Sequence, residues 1–307
     1  MKKILLLILF VSSACTQPIN YNLEEEYFKE TKGIIYYKGT PFTGKANIYY
    51  SILTHPSNTL KEKVSYKNGK SDGLFEIYYD NGILKAKINF KEGKLEGLSK
   101  NYNEKGQLKT VKSYKNTNKD GLFKDYYDNG KLESKRNFKD DQQNGLTEFY
   151  YENGKLRYKV NFKDDELDGF YESYYENGQP NSKVTFKKGL IIGVSKIYYE
   201  NGSLQHKHEY NNNELDGLFE TYFENGNLQI KGSYKNGKKD GLFETYYNNG
   251  QLQLKTIFKN DKKESSFKQY YENGFLRSKG GYKDDKPYGR WEFYYENGEF
   301  ERKSTYE

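Results

Sequence analysis

Glycine recurs every 24 residues, at Gly73, Gly97, Gly121, Gly145, Gly169, Gly193, Gly217 and Gly241, with Ser265 and Gly289 in the same register. A second glycine follows nine residues after each, from Gly82 to Gly298. A fixed period of this length means that one supersecondary unit is stacked on copies of itself. Few folds satisfy that condition, because each unit has to bury its apolar side against neighbours of its own shape. With the first glycine as position 1, position 6 is Tyr in all ten units, from Tyr78 to Tyr294. Position 18 is Phe or Tyr, from Phe90 to Tyr306. Position 12 is Leu except at Pro180 and Phe300, and position 15 is Lys except at Val111. A longer unit begins at Gly44, with five residues inserted around His55-Pro56.

Each unit reads as two short strands, Leu74–Tyr79 and Leu84–Phe90 in the first case, rich in aromatic and β-branched residues. Asp80-Asn81-Gly82 between them is a hairpin signal. A two-residue loop would pair odd positions with even ones. A three-residue loop with Gly in the left-handed region pairs 6 with 12 and keeps the apolar positions 2, 6, 12 and 18 on one face. The expected fold is all-β: an elongated single-sheet antiparallel β-meander solenoid of tandem 24-residue β-hairpin repeats, about 22 strands in all. Composition agrees. Only 34% of residues are hydrophobic, yet the chain carries 33 Tyr, 19 Phe and one Trp. That excludes a thick α/β core, and the aromatics exclude a disordered chain.

The first residues have a different character. Met1-Lys2-Lys3 precedes an eight-residue apolar run, Ile4 to Val11, which reaches ~12 Å as a helix and is too short to span a bilayer. Residues 1–14 are expected to be a signal peptide. Ser12-Ser13-Ala14 before Cys15, the chain's one cysteine, resembles a bacterial lipobox with Ser12 in place of the usual Leu. The resemblance implies lipid attachment at Cys15, a tether over residues 15–32 and a cell-envelope location. The repeat domain is expected over 33–307. A single cysteine allows neither an internal disulfide nor a cysteine-cluster metal site. The net charge of +7 is too small for a dedicated nucleic-acid binder.

The run from Asp72 through Gly82 and its copies resemble the bacterial MORN-repeat variant, the repeat of proteins named YwqK-type antitoxins. Pro41-Phe42-Thr43-Gly44-Lys45 is similar to the usual opening of that family. The resemblance covers about residues 33–307. It implies repeated β-hairpins and a role in binding rather than catalysis.

No catalytic constellation emerges. His206 and His208 share one strand face but lack a third ligand, so no metal and no cofactor are expected. The carboxylates before each glycine, such as Asp72 and Asp168, are read as turn residues. The odd face offers the candidate binding surface, with position 3 expected opposite position 15. The pairs are Phe75 with Lys87, Phe123 with Lys135, Tyr171 with Lys183, Phe219 with Lys231, Phe243 with Lys255 and Trp291 with Lys303. Two roles follow. The chain is expected to be a non-enzymatic scaffold that binds a protein partner in the envelope, in an antitoxin-like or immunity-like manner. The alternative is an anionic or glycan polymer held by the Lys–aromatic ladder. The membrane is reached through the lipid anchor only, nucleic acid is not a partner, and weak edge-to-edge self-association is expected from the last strand.

Overall fold

The computed structural model describes residues 19–20, 25–50 and 59–307. Residues 1–18, with Cys15 and the expected signal peptide, lie outside them, as do His55 and Pro56. The chain divides into two units, 1–143 and 144–307. Each is an antiparallel meander of consecutive hairpins, as the sequence predicts. Among the described residues no helix is long and apolar enough to cross a membrane.

The hairpin of the first full repeat shows the local logic. Lys70–Tyr78 pairs with Leu84–Lys91. The Tyr79 N–H donates to the Ile83 carbonyl at 2.8 Å, and the Gly82 N–H to the Tyr79 carbonyl at 3.0 Å. This is the three-residue loop, with Gly82 at φ +82°, a region that side chains rarely enter. Asn81 works twice. Its Oδ1 accepts the Ile83 N–H at 2.9 Å, and its Nδ2 donates to the Glu104 carbonyl in the next repeat's turn at 3.2 Å. The connection between repeats is a two-residue turn, as at Asp164 (φ 51°) and Asp165 (φ 66°) between the paired Lys163 and Glu166.

The expected single apolar face is not what the hairpins build. Tyr78 sits opposite Leu84, as positions 6 and 12 should, but Ile77 sits opposite Ala86. Lys85, at position 13, is an extra residue. The same shift falls beside the tyrosine at position 6 in the other hairpins, for example at Tyr126, Tyr174, Tyr222 and Tyr294. A bulge of one residue changes the alternation beyond it. Even positions of the second strand therefore join odd positions of the first. Positions 1, 3, 5, 14, 16 and 18 form one face, and 2, 4, 6, 12, 15 and 17 the other. Tyr126 and Phe138, expected together, lie on opposite faces. Phe138 instead packs on Phe123, with ring centroids 4.6 Å apart.

The face of position 3 is the packed one. Phe123, Phe243, Phe267 and Trp291, all at position 3, are buried, and so are Ala86, Ser134, Val160, Thr256 and Ser278 at positions 14 and 16. Aromatics of positions 18 and 3 run side by side across strands. Tyr234, Phe243 and Phe258 follow at 5.7 and 5.1 Å, and Tyr282 sits 5.3 Å from Trp291. Large rings require small neighbours. A Cβ on Gly232 would collide with the Phe243 ring, and one on Gly280 with Trp291. Position 16 is not small everywhere: Val160 lies between Thr147 and Tyr171. We therefore expect Gly280→Ala to cost about 1 kcal/mol by forcing the indole aside. The effect is readable as an altered emission of Trp291, the one tryptophan of the chain.

Repeats are also stitched through side chains. The Tyr79 hydroxyl donates to the Tyr102 carbonyl at 2.8 Å, and Tyr175 and Tyr199 do the same to Tyr198 and Tyr222. In the first unit a three-stranded sheet, Phe28–Thr31, Ile34–Tyr37 and Thr40–Pro41, packs against the opening hairpin. Phe28, Phe42 and Ala46 form its buried cluster. Residues 28–31, expected within the tether, are thus folded, because Phe28 supplies an aromatic side to that cluster.

Candidate functional site

The bulge also rearranges the candidate binding residues. Phe75 lies opposite Ile88, Phe123 opposite Arg136, Tyr171 opposite Val184, Phe219 opposite Gly232, Phe243 opposite Thr256 and Trp291 opposite Ser304. Lys87, Lys183, Lys231, Lys255 and Lys303 lie opposite Glu76, Glu172, Glu220, Glu244 and Glu292, and Lys135 lies opposite Lys124. These rings are on the packed face and the lysines on the other, so the expected pairing of position 3 with position 15 does not form; the lysines meet tyrosines of position 6 instead, as Lys279 does Tyr294 at 5.8 Å.

The outward face carries a charge row instead. In the second unit, directly paired residues run Glu148, Lys159, Glu172, Lys183, Lys196, Lys207, Glu220, Lys231, Glu244, Lys255, Lys268, Lys279, Glu292, Lys303. Glu at position 4 and Lys at position 15 alternate, and opposite charges across strands stabilise a sheet. Glu244 takes the Lys255 ammonium at 2.8 Å and the Tyr246 hydroxyl at 3.0 Å. Glu172 takes Lys159 at 2.9 Å and Tyr174 at 2.7 Å. Burial, then the adjacent carboxylate, pushes the Tyr174 and Tyr246 hydroxyls up to about 12. The Lys279 and Tyr294 donors hold the Glu292 carboxyl down at about 2.

Position 2 shares this face and is apolar in most repeats. Leu98 in the first unit is exposed, and so are Leu146, Phe170, Val194 and Leu242 in the second. These were expected in the core; the register leaves them in solvent. The signal that could have found the charge row was present, since Glu at position 4 recurs with Lys at position 15.

His206 and His208 occupy the packed face. His208 stacks on Phe219 at 4.1 Å, and burial pushes its ring down to about 4 and that of His206 below its ordinary value. Among the described residues no group of three His, Cys, Asp or Glu could hold a metal ion. Asp72 and Glu96, before their glycines, accept the turn N–H groups of Glu92 and Asn116 at 3.1 and 2.9 Å.

No curated protein matches the chain. Among solved structures it is similar to the TcdB2-TccC3 crystal structure, at 11% identity and a TM-score of 0.19 over 85% of this chain and 18% of that one. The same assembly without its hypervariable C-terminal region gives 11%, 0.19, 87% and 16%. The chain thus spans less than a fifth of these structures, and TM-scores this low carry no information about its role. The model of the MORN repeat variant matches nine segments: 71–92, 95–116, 119–140, 143–164, 167–188, 192–212, 215–236, 239–260 and 287–307. The segment between the last two holds Ser265 in place of the glycine. With most of its length matched by that one model, the chain belongs to the MORN repeat variant family.

Proposed function

We propose that this chain is a non-enzymatic scaffold, anchored by lipid at Cys15 in the cell envelope, that binds a protein partner across the outward face of its repeats. The observation that carries the reading is the exposed apolar side chain at position 2, repeated beside a row of alternating charges. Phe170 is 67% exposed and Leu242 42%. Apolar patches rimmed by polar groups favour protein contact, and equivalent contacts at repeat spacing add affinity through multivalency. The resemblance to YwqK-type antitoxin repeats favours an immunity-like partner. The lipobox-like Ser12-Ser13-Ala14-Cys15 supports the anchor. The polymer alternative loses the position-3 rings, which the register places away from the lysines, and keeps only tyrosines such as Tyr294, over which Lys279 sits at 5.8 Å.

Two measurements test the proposal. Metabolic labelling with palmitate should mark the full chain, and Cys15→Ser should lose both the label and the membrane fraction. The acylated chain should retain a discrete protein from its native envelope, and Phe170→Ser with Leu242→Ser should release it. Retention unchanged in that double variant would remove the outward face from the account.

A further inference from the structure

In the second unit the alternation of the charge row breaks twice, at Lys196 and Lys268, where position 4 is Lys rather than Glu, and the two breaks differ. Lys183, Lys196 and Lys207 are directly opposite one another on three successive strands. Like charges placed so are destabilising in a sheet, and Glu at residue 196 would restore the pattern seen at Glu172 and Glu220. The neighbouring carboxylates relieve the cluster only in part: the Glu172 carboxylate feels Lys183 without an ion pair to it. Glu172, opposite Lys183, is engaged by Lys159 at 2.9 Å and by Tyr174, and Glu220 takes Lys207 at 3.3 Å. Among the described residues neither Lys183 nor Lys196 makes an ion pair. At the second break, Lys255 and Lys279 are paired with Glu244 and Glu292, which leaves Lys268 alone between neutralised neighbours.

The site also has shape and apolar surface. Phe170, Glu172, Lys183, Thr185, Val194 and Lys196 line a 260 Å³ depression. Residues two apart on a strand share a face, so Phe170 and Val194 lie on the lysine side. Phe170 is 67% and Val194 39% exposed, and they sit about 10 Å apart, two strand spacings. The residues at position 2 beside Lys268, Ser266 and Arg290, offer no such surface.

We propose that Lys183 and Lys196, flanked by Phe170 and Val194, are the docking site for an acidic, apolar-studded segment of the protein partner. This rests on the reading of the outward face as a protein-binding surface and names the chemistry that reading would select. Two ammonium groups without an ion pair call for carboxylates at strand spacing, and the exposed ring and valine call for apolar side chains between them. Charge complementarity and the apolar flank together favour a protein segment over a bare polyanion, which would leave Phe170 and Val194 uncovered.

The test uses the full chain and a fluorescent eight-residue peptide of alternating Glu and Phe, followed by anisotropy. Saturable binding should weaken at least tenfold in Lys196→Glu and in the Lys183→Gln, Lys196→Gln pair. It should also weaken with salt, and remain unchanged in Lys268→Glu. Lys196→Glu should raise Tm by about 2 °C at the same time, because it removes the repulsion. A lysine with a purely structural place in the sheet could not produce loss of binding and gain of stability together. Equal binding by Lys196→Glu, or by wild type to the peptide with Gln for Glu, would overturn the proposal. So would tighter binding of inorganic polyphosphate than of the peptide, which would make the occupant a polyanion. Failure of the envelope capture with Phe170 and Leu242 intact would count against the scaffold reading and leave the peptide result standing.

Discussion

Phe243→Ala should destabilise the second unit by about 3–5 kcal/mol, while Leu242→Ala, one residue away, should cost less than about 1 kcal/mol. The two positions were ranked the other way by the recurrence of apolar residues alone, which put position 2 inside and position 3 outside. The register reverses them. Phe243 is 4% exposed, lies between the rings of Tyr234 and Phe258, and covers Gly232. Truncating it leaves a cavity that Gly232 has no side chain to fill and that Thr256, fully buried opposite, cannot reach. Leu242 projects into solvent, so its loss removes little buried area. The cost at Phe243 should spread, because each repeat is held by its neighbours and the adjoining hairpins lose a shared ring. Urea denaturation followed by far-UV circular dichroism measures both. Equal losses in the two variants would mean that the bulge does not set the faces as described.

The period, the antiparallel hairpins and the three-residue loop were legible because they rest on backbone demands. Gly82 and its copies stand at positive φ, where glycine is the ready choice, and such a requirement shows in a bare sequence. The bulge makes no comparable demand. Position 13 is Lys85, Lys109, Glu133, Arg157, Asn181 or Gln205 in successive units, a variable polar residue with no marker. Counting parity through it therefore misplaced every residue of the second strand beyond the bulge, and with it the candidate site. Two complementarities inside the chain could have located it. Phe243 and Trp291 at position 3 accompany Gly232 and Gly280 at position 16 of the preceding repeat, and Glu at position 4 accompanies Lys at position 15. Both are pairwise signals. They emerge only when a residue is weighed against its cross-strand partner rather than by its own polarity, and the unrelieved lysines at 183 and 196 are visible only against that pattern.

Mild acid should weaken the second unit through His206 and His208. Both rings sit on the packed face. His206 is opposite Ile197 and Thr221, and His208 is opposite Ser195 and Phe219. None of these groups can neutralise an imidazolium. Lys207, between them in the chain, projects to the other face and pairs with Glu220. His206 Nδ1 and His208 Nε2 are buried without a hydrogen-bond partner. Burial therefore lowers both rings, His208 to about 4, below the 6.5 of an unfolded chain. A folded pKa below the unfolded one means that the unfolded state binds the proton first. The contribution is present above about pH 6.5 and is lost as pH falls towards 4. Allowing for partial solvent access, the loss by pH 5 is about 1 kcal/mol. Carboxylates held low, such as Glu172, Glu244 and Glu292, give up most of their share below their ordinary 4.5, so at pH 5 the histidines dominate the loss. His206→Tyr with His208→Val installs the residues found at the equivalent Tyr158 and Val160. Urea midpoints at pH 7 and pH 5 should differ in the wild type and nearly coincide in that variant. An equal fall in both proteins would assign the acid sensitivity to the carboxylates and remove the histidines from the account.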